Sequence, residues 1–216
     1  MENSHTHALF ERVSQEKKAR IIDTAISEFA KHGFESANIN HIASSAGVSV
    51  GAMYKYFTSK EELYLYIIHY CVEKLKTLLD DAIADETMLL KKIEKIIKAI
   101  QCHSRENSEL NKIYNVMTTE IRSELVWKIV SDMEGVTAEL YKSMIDQGKV
   151  EGVVREDADS RAFAYFLDNL FILLQFSYSC DYYKERMKLY VGVDVFENDT
   201  LVAEQLLKFI IGAFIK

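Results

Sequence analysis

The 216 residues contain no proline, eight glycines and a single tryptophan. Helix interiors exclude proline while loops ordinarily use it, so its complete absence predicts long helices joined by short connections. The cysteines, Cys71, Cys102 and Cys180, are odd in number and far apart, with no C-x-x-C pair. That excludes a disulfide framework and fits reduced thiols in a cytoplasmic protein. Cys102 beside His103 admits a redox-sensing or metal-sensing role, against the plainer reading of small buried hydrophobes. The N-terminus MENSHTHALFER lacks the apolar stretch of a signal peptide. The longest apolar run, over 163–178, is broken by Asp168, Asn169 and Gln175, as in a buried helix and not a membrane span. Also missing are H-E-x-x-H, P-loop and G-x-G-x-x-G motifs and any supported Ser/His/Asp grouping, so the chain reads as no enzyme, with no cofactor and no metal. His5 and His7 have no further ligand nearby and read as solvated.

Nor is there an excess of positive charge. The net charge is −7, but it divides unevenly: residues 1–60 carry +1 and the remainder −8. Local potential decides nucleic-acid binding, so the acidity of the larger part does not exclude it. A hydrophobic fraction of 49% is ordinary for a globular chain of one large or two small domains.

What is present is concentrated between residues 38 and 63, NINHIASSAGVSVGAMYKYFTSKEEL. Ile39, Ile42, Ala43 and Ala46 recur at helical spacing, with Asn38 as an N-cap. Gly47 stands where the chain reverses and a left-handed residue is needed. Val48 plugs the corner and Ser49 caps a second short helix, 50–57, with Met53 and Phe57 inward. Ser59 and Glu62 are spaced as a capping box opening a third helix. Two short helices across a glycine turn are the geometry of a helix-turn-helix.

These residues resemble the DNA-binding motif of the tetracycline-repressor (TetR) family of bacterial transcriptional regulators. That family carries Ile-Ala-x-x-Ala-Gly-Val-Ser-x-Gly-x-Leu-Tyr-x-Tyr-Phe-x-Ser-Lys-x-x-Leu. The matched residues are Ile42-Ala43, Ala46-Gly47-Val48-Ser49, Gly51, Tyr54, Tyr56-Phe57, Ser59-Lys60 and Leu63, with Met53 in place of Leu. The resemblance implies an all-α fold: an N-terminal three-helix helix-turn-helix domain, then a larger helical effector-binding and dimerisation domain. The expected division is a flexible arm at 1–13, a DNA-binding domain at 14–60, and the remainder at 61–216.

On DNA, the start of the second short helix is the part that reaches base edges. Val50, Gly51 and Ala52 offer apolar contact and close backbone approach, which leaves Asn40 and Lys55 as polar candidates for bases. The resemblance assigns Tyr54, Tyr56 and Lys60 to phosphates, and Asn38 and Ser49 bring free N–H groups at helix starts. Asn38 stands where the family usually has Thr. Half-buried packing for the tyrosines and a solvated Lys60 are the competing readings.

Before this stretch, Ile22, Ala25, Ile26, Phe29 and Ala30 line a first helix over 14–32, stopped by Gly33. After it, a helix over about 59–84 is long enough to join both domains. Further helices are expected at 88–103, 110–117, 121–149, 157–179, 182–190 and from 198 or 199 onward. Residues 148–157 read as a glycine stop, an extended link and an acidic cap. Candidate effector-pocket residues are Tyr114, Met117, Trp127, Met133, Asn169, Phe171, Gln175 and Tyr178, an aromatic and Met-rich set suited to a mostly apolar ligand. The last large helices are apolar around much of their circumference, so Phe163, Leu167, Leu174, Leu206, Phe209, Ile210 and Phe214 are expected at a homodimer interface.

The resulting expectation is a cytoplasmic homodimeric repressor on a palindromic operator of double-stranded DNA, released by a small-molecule effector. Two alternatives remain open: a regulator working through protein partners or as an activator without a ligand, and a helical small-molecule-binding protein or enzyme retaining the motif.

Overall fold

The computed structural model describes residues 9–120 and 123–216, without the side chains of 119–129 and 131–133. His5 and His7 lie outside the described residues. Among those described, the chain is helical, with one isolated antiparallel bridge between Val154 and Ile215. It divides into two compact units, one of residues 1–72 and 112–129 and the other of residues 73–111 and 130–216.

In the first unit, α1 (Gln15–Ser36) buries Ile21, Ile22, Ala25, Ile26 and Phe29, the face its apolar spacing specifies. Gly33, at φ 67°, interrupts the helical backbone, yet a last turn continues to Ser36. The expected stop is therefore a break inside the helix. Two short helices follow, α2 (Ile39–Ser45) and α3 (Val50–Tyr56), separated by Gly47 at φ 70°. The long α4 (Lys60–Ile83) begins with the Glu62 N–H donating to Ser59 Oγ at 3.1 Å, while the Glu62 carboxylate accepts from the Thr58 N–H and hydroxyl. The side chain of the capping pair thus reaches Thr58, one residue before Ser59. α4 contributes residues 60–72 to the first unit and 73–83 to the second.

One segment departs from the sequence expectation. Residues 9–11 form a helical turn and Phe10 is fully buried, with its ring 4.9 Å from Phe57, 5.3 Å from Tyr66 and 5.6 Å from Tyr56. The C-terminal part of the expected arm is an anchored piece of the core. Burying one phenylalanine contributes roughly 1.5–3 kcal/mol.

In the second unit, α5 (Leu89–Glu106) packs on α8 (Ser160–Ser179) and α10 (Asp199–Phe214). In chain order α6 (Ser108–Glu120) and α7 (Ser123–Val150) follow α5, residues 112–129 of them grouping with the first unit, and α9 (Asp181–Val191) follows α8. Ile93, Ile96, Ile97 and Ile100 meet Leu167, Phe171, Ile210 and Phe214 in one core. Gly148 lies inside α7, and Gly152, at φ 72°, provides the stop after it. A Cβ at Gly148 would fall 2.6 Å from both Leu89 Cδ2 and Val154 Cγ2, so this glycine permits close packing. The acidic cap of α8 is Asp159, whose Oδ1 accepts the Ala162 N–H at 2.8 Å; Asp157 pairs instead with Arg155. Asn198 caps α10 through the Leu201 N–H.

Candidate nucleic-acid interface

The turn between α2 and α3 is held at both ends. Asn38 Oδ1 accepts the Asn40 N–H at 2.9 Å and Ser49 Oγ accepts the Ala52 N–H at 3.1 Å, so both caps use their side chains on their own helix. Ile42, Ala43, Met53 and Phe57 are fully buried behind this turn. The Val48 N–H donates to Ala43 O at 2.9 Å, which closes the corner.

The opposite side is open. Asn38, Asn40, Ser49, Val50, Gly51, Tyr54 and Lys55 are exposed and Ala52 is half-buried. Val50 is 37% and Tyr54 48% exposed, large apolar surface that the fold leaves in water on a helix of seven residues. Nothing lies within 4 Å of where a Gly51 Cβ would stand. The missing side chain therefore answers no need of the folded chain, and it lets an outside surface approach the backbone.

Two of the phosphate candidates are engaged internally. Tyr56 is half-buried against Phe10 and its hydroxyl accepts from Lys17 Nζ at 3.2 Å. Lys60 Nζ donates to the carbonyls of Glu35 at 2.8 Å and Ala37 at 3.2 Å and stands 5.0 Å from the Phe34 ring centre. Lys60 thereby satisfies carbonyls at the end of α1. Sequence reasoning also missed Glu28, a buried carboxylate that accepts the Asn38 N–H at 3.0 Å and pairs with His41 Nδ1 at 2.6 Å. A charged residue at an inward position of α1 was its only signal.

The effector candidates fall into several settings. Trp127 and Met133 have side chains outside the described residues. Tyr114 is half-buried and Met117 buried. Phe171 is buried against Tyr141, with ring centres 5.4 Å apart. Asn169 turns back to donate to Tyr165 O at 2.7 Å. Tyr178 is locked in a network: its hydroxyl accepts from Gln101 Nε2 and donates to Asp199 Oδ1, both at 2.8 Å, and Asp199 also pairs with Arg105. Burial pushes the Tyr178 hydroxyl above its ordinary range, with Asp199 adding to the rise.

Of the expected interface residues, Leu167, Leu174, Ile210 and Phe214 are taken up by the chain's own core, and Phe163 packs on Phe214 at 4.7 Å. Leu206 is half-buried and Phe209 is 64% exposed. The apolar side chains that α8 and α10 leave in water are Tyr165, Phe166, Leu173, Leu201 and Phe209. Beside them, Leu170, Leu173, Ser177, Val202 and Leu206 line an open groove of ≈ 270 Å³. Cys102 is exposed and its thiol donates to Glu106 Oε1 at 3.4 Å, contrary to the buried reading. No cluster of metal-ligating side chains occurs among the described residues.

Comparison with known proteins bears on the helix-turn-helix first. Residues 21–67 match the model of the bacterial regulatory proteins of the tetR family. The HTH-type transcriptional regulator YerO of Bacillus subtilis is 47% identical over 70 residues, 31% of this chain and 24% of that protein. In YhgD, another HTH-type transcriptional regulator of Bacillus subtilis, identity is 24% over 166 residues, 77% of this chain and 86% of that one. The crystal structure of the transcriptional regulator FadR from Bacillus subtilis, in complex with stearoyl-CoA, has the same fold. Its TM-score is 0.72 at 18% identity, covering 88% of this chain and 97% of that one. The buried turn, the open face of α3 and the matched motif make residues 21–67 a helix-turn-helix of the tetR-family type, in a chain whose all-helical fold is shared with FadR.

Proposed function

We propose that the protein is a ligand-responsive repressor that binds a palindromic operator as a homodimer. The observation that carries the DNA half is the start of α3, where Val50 and Gly51 are exposed and Ala52 is half-buried in front of a fully buried scaffold. A helix in the major groove needs such a small, open leading edge, and thymine methyls are the partners that apolar side chains there recognise. Asn40 and Lys55 supply the polar base contacts. Tyr54 and the helix starts at Asn38 and Ser49 take phosphates. Tyr56 and Lys60, partly committed to the fold, serve to position the others.

The dimer rests on α8 and α10, whose outward apolar side chains stand beside a groove that α9 also lines through Arg186, Met187 and Tyr190. Two-fold symmetry of that contact would set two copies of α3 against two half-sites. Residues 14–60 act as the DNA-binding domain and 61–216 as the effector and dimerisation domain, with α4 belonging to both. The stearoyl-CoA held by FadR supports a small molecule as the effector here. Such a ligand acts by preferring the geometry that does not bind DNA, and coupling of ~1–3 kcal/mol is the usual scale. The protein works in the cytoplasm, where its operator is.

The test is operator binding by the purified full chain, followed by challenge with candidate ligands. Specific binding that a ligand reverses, at a stoichiometry of one dimer per palindrome, supports the proposal. Binding of a single half-site by a monomer, or indifference to every ligand class, argues against its dimeric or its ligand-responsive half respectively.

A further inference from the structure

The helix before the turn, α2, reads Ile39-Asn40-His41-Ile42-Ala43-Ser44-Ser45. It holds no lysine, arginine or carboxylate, and His41 is its one titratable side chain. In a helix-turn-helix the first helix crosses the phosphate backbone while the second enters the groove. Any positive side chain that α2 itself brings to a phosphate therefore depends on protonation of His41.

The imidazole is fixed from behind. Its Nδ1 lies 2.6 Å from Oε2 of Glu28, whose side chain is 6% exposed against 63% for His41. Glu28 Oε1 accepts the Asn38 N–H at 3.0 Å. The ring thus turns Nδ1 into the fold and Nε2 outward, and Nε2 has no hydrogen-bond partner among the described residues. Burial raises the Glu28 carboxyl, but the Asn38 N–H and His41 bring it below its ordinary 4.5, so near neutral pH it is ionised and only accepts. Nδ1 must then carry a hydrogen. In the neutral ring Nε2 is left as a bare acceptor, to which a phosphate oxygen, itself an acceptor, cannot bond. A second proton makes Nε2 a donor and the ring a cation.

The elements packed on α2 are α1 and α3. From α1, Glu28 meets the ring and His32 acts on Glu28, while Arg20 reaches Ala46 O at the far end of α2 at 3.4 Å and pairs with Glu16. From α3, Tyr54 and Lys55 are exposed and Tyr56 is turned to Phe10 and Lys17. Lys60 is held by the carbonyls of Glu35 and Ala37, ahead of α2. Resting on the reading of α2 and α3 as the DNA-binding pair, we propose that His41 contacts an operator phosphate in its imidazolium form alone, with Glu28 as the positioning residue that fixes the ring. Operator binding then takes up a proton at each His41, so the contact is present in acid and affinity falls as pH rises.

The probe is the palindrome that the full chain enriches from randomised duplex DNA, with affinity read by fluorescence anisotropy from pH 6 to pH 8 and across salt. Over that range the parent loses about ten-fold or more affinity beyond what His41→Gln loses. At pH 6 the slope of log K against log salt is shallower in His41→Gln by about one per protomer, and the two slopes converge at pH 8. Glu28→Gln keeps an oxygen for the Asn38 N–H and offers an amide hydrogen to Nδ1, which leaves the hydrogen of the neutral ring on Nε2. That variant holds the phosphate without a second proton, so its pH profile is as flat as that of His41→Gln and at pH 8 it binds about three-fold or more tighter than the parent. Thermal melts at each pH separate loss of the contact from loss of fold. Equal pH profiles and salt slopes in the parent and a folded His41→Gln that selects the same palindrome overturn the contact and leave α3 as the reading helix. A profile as steep as the parent's in Glu28→Gln overturns the role of Glu28. Failure of the parent to enrich any sequence at either pH overturns the DNA reading and the contact together.

Discussion

The buried carboxylate of Glu28 holds Asn38 from outside its own helix: Oε1 accepts the Asn38 N–H at 3.0 Å, while Oε2 lies 2.6 Å from His41 Nδ1. The same Asn38 caps α2 with its side chain. One residue of α1 therefore fixes where α2 begins and, through the Gly47 turn, where α3 is presented. Burial raises the Glu28 carboxyl, but the Asn38 N–H and His41 outweigh it and leave the group below its ordinary 4.5.

Glu28→Ala leaves the Asn38 N–H without this acceptor and should cost about 1–3 kcal/mol of stability. The sign of the pH dependence follows from the lowered carboxyl. Its contribution is fully present above about 4.5 and is lost as pH falls through the lower folded-state value. Urea unfolding at pH 7 and at successively lower pH should show the parent approaching the variant in acid. A constant gap across that range would remove the electrostatic part of the account.

Two glycines of α7 should respond in opposite directions to alanine. Gly148→Ala drives a Cβ to 2.6 Å from Leu89 and Val154 and should destabilise by about 1–3 kcal/mol. Gly135→Ala meets nothing within 4 Å and should stabilise by roughly 0.5–1 kcal/mol through helix propensity. Chemical denaturation of both variants checks the pair. Equal effects would mean that Gly148 is not a packing position.

The helix-turn-helix was legible because its rules are local: caps at Asn38 and Ser49, a left-handed glycine at 47 and inward Met53 all follow from spacing. Phe10 was not legible, since its partners Phe57 and Tyr66 are distant in sequence and it lies among polar residues. Residues 148–157 read as one glycine stop and a link; only three-dimensional neighbours separate Gly148, a packing glycine, from Gly152, a turning one. On α8 and α10 the apolar content announced two functions at once, core and outer face. Sequence spacing alone did not divide Leu174 and Ile210, which are buried, from Leu173 and Phe209, which are not.

Asp168→Asn should stabilise the protein at neutral pH. The folded carboxyl, at about 6, lies above its ordinary 3.8, with Glu134 and Tyr141 as the titratable groups around it. Its favourable contribution is therefore fully present below about 3.8 and is lost as pH rises through about 6. Half-burial limits the gain of the variant at pH 7.5 to about 1–2 kcal/mol, and the gain should vanish in acid. Thermal melts across pH test this, and a variant less stable than the parent at pH 7.5 would contradict it.

Phe209→Glu places a charge on the outward face of α10 and should convert a dimer into monomers, with operator affinity falling by a hundred-fold or more. Phe209 is 64% exposed, so the fold of the single chain should survive the change. Light scattering with circular dichroism separates the two effects. A variant that remains dimeric would place the interface elsewhere.

The most direct measurement is selection of the full chain on randomised duplex DNA, repeated across salt and with Gly51→Leu in parallel. The free protein has room for a side chain at Gly51, so the variant should fold normally. The account predicts a palindrome bound at roughly 10⁻⁸ to 10⁻¹¹ M, with log K falling steeply as salt rises. It predicts that Gly51→Leu loses this specific binding while keeping the fold. If no sequence is enriched, or the leucine variant selects the same palindrome with equal affinity, α3 is not the surface that reads DNA.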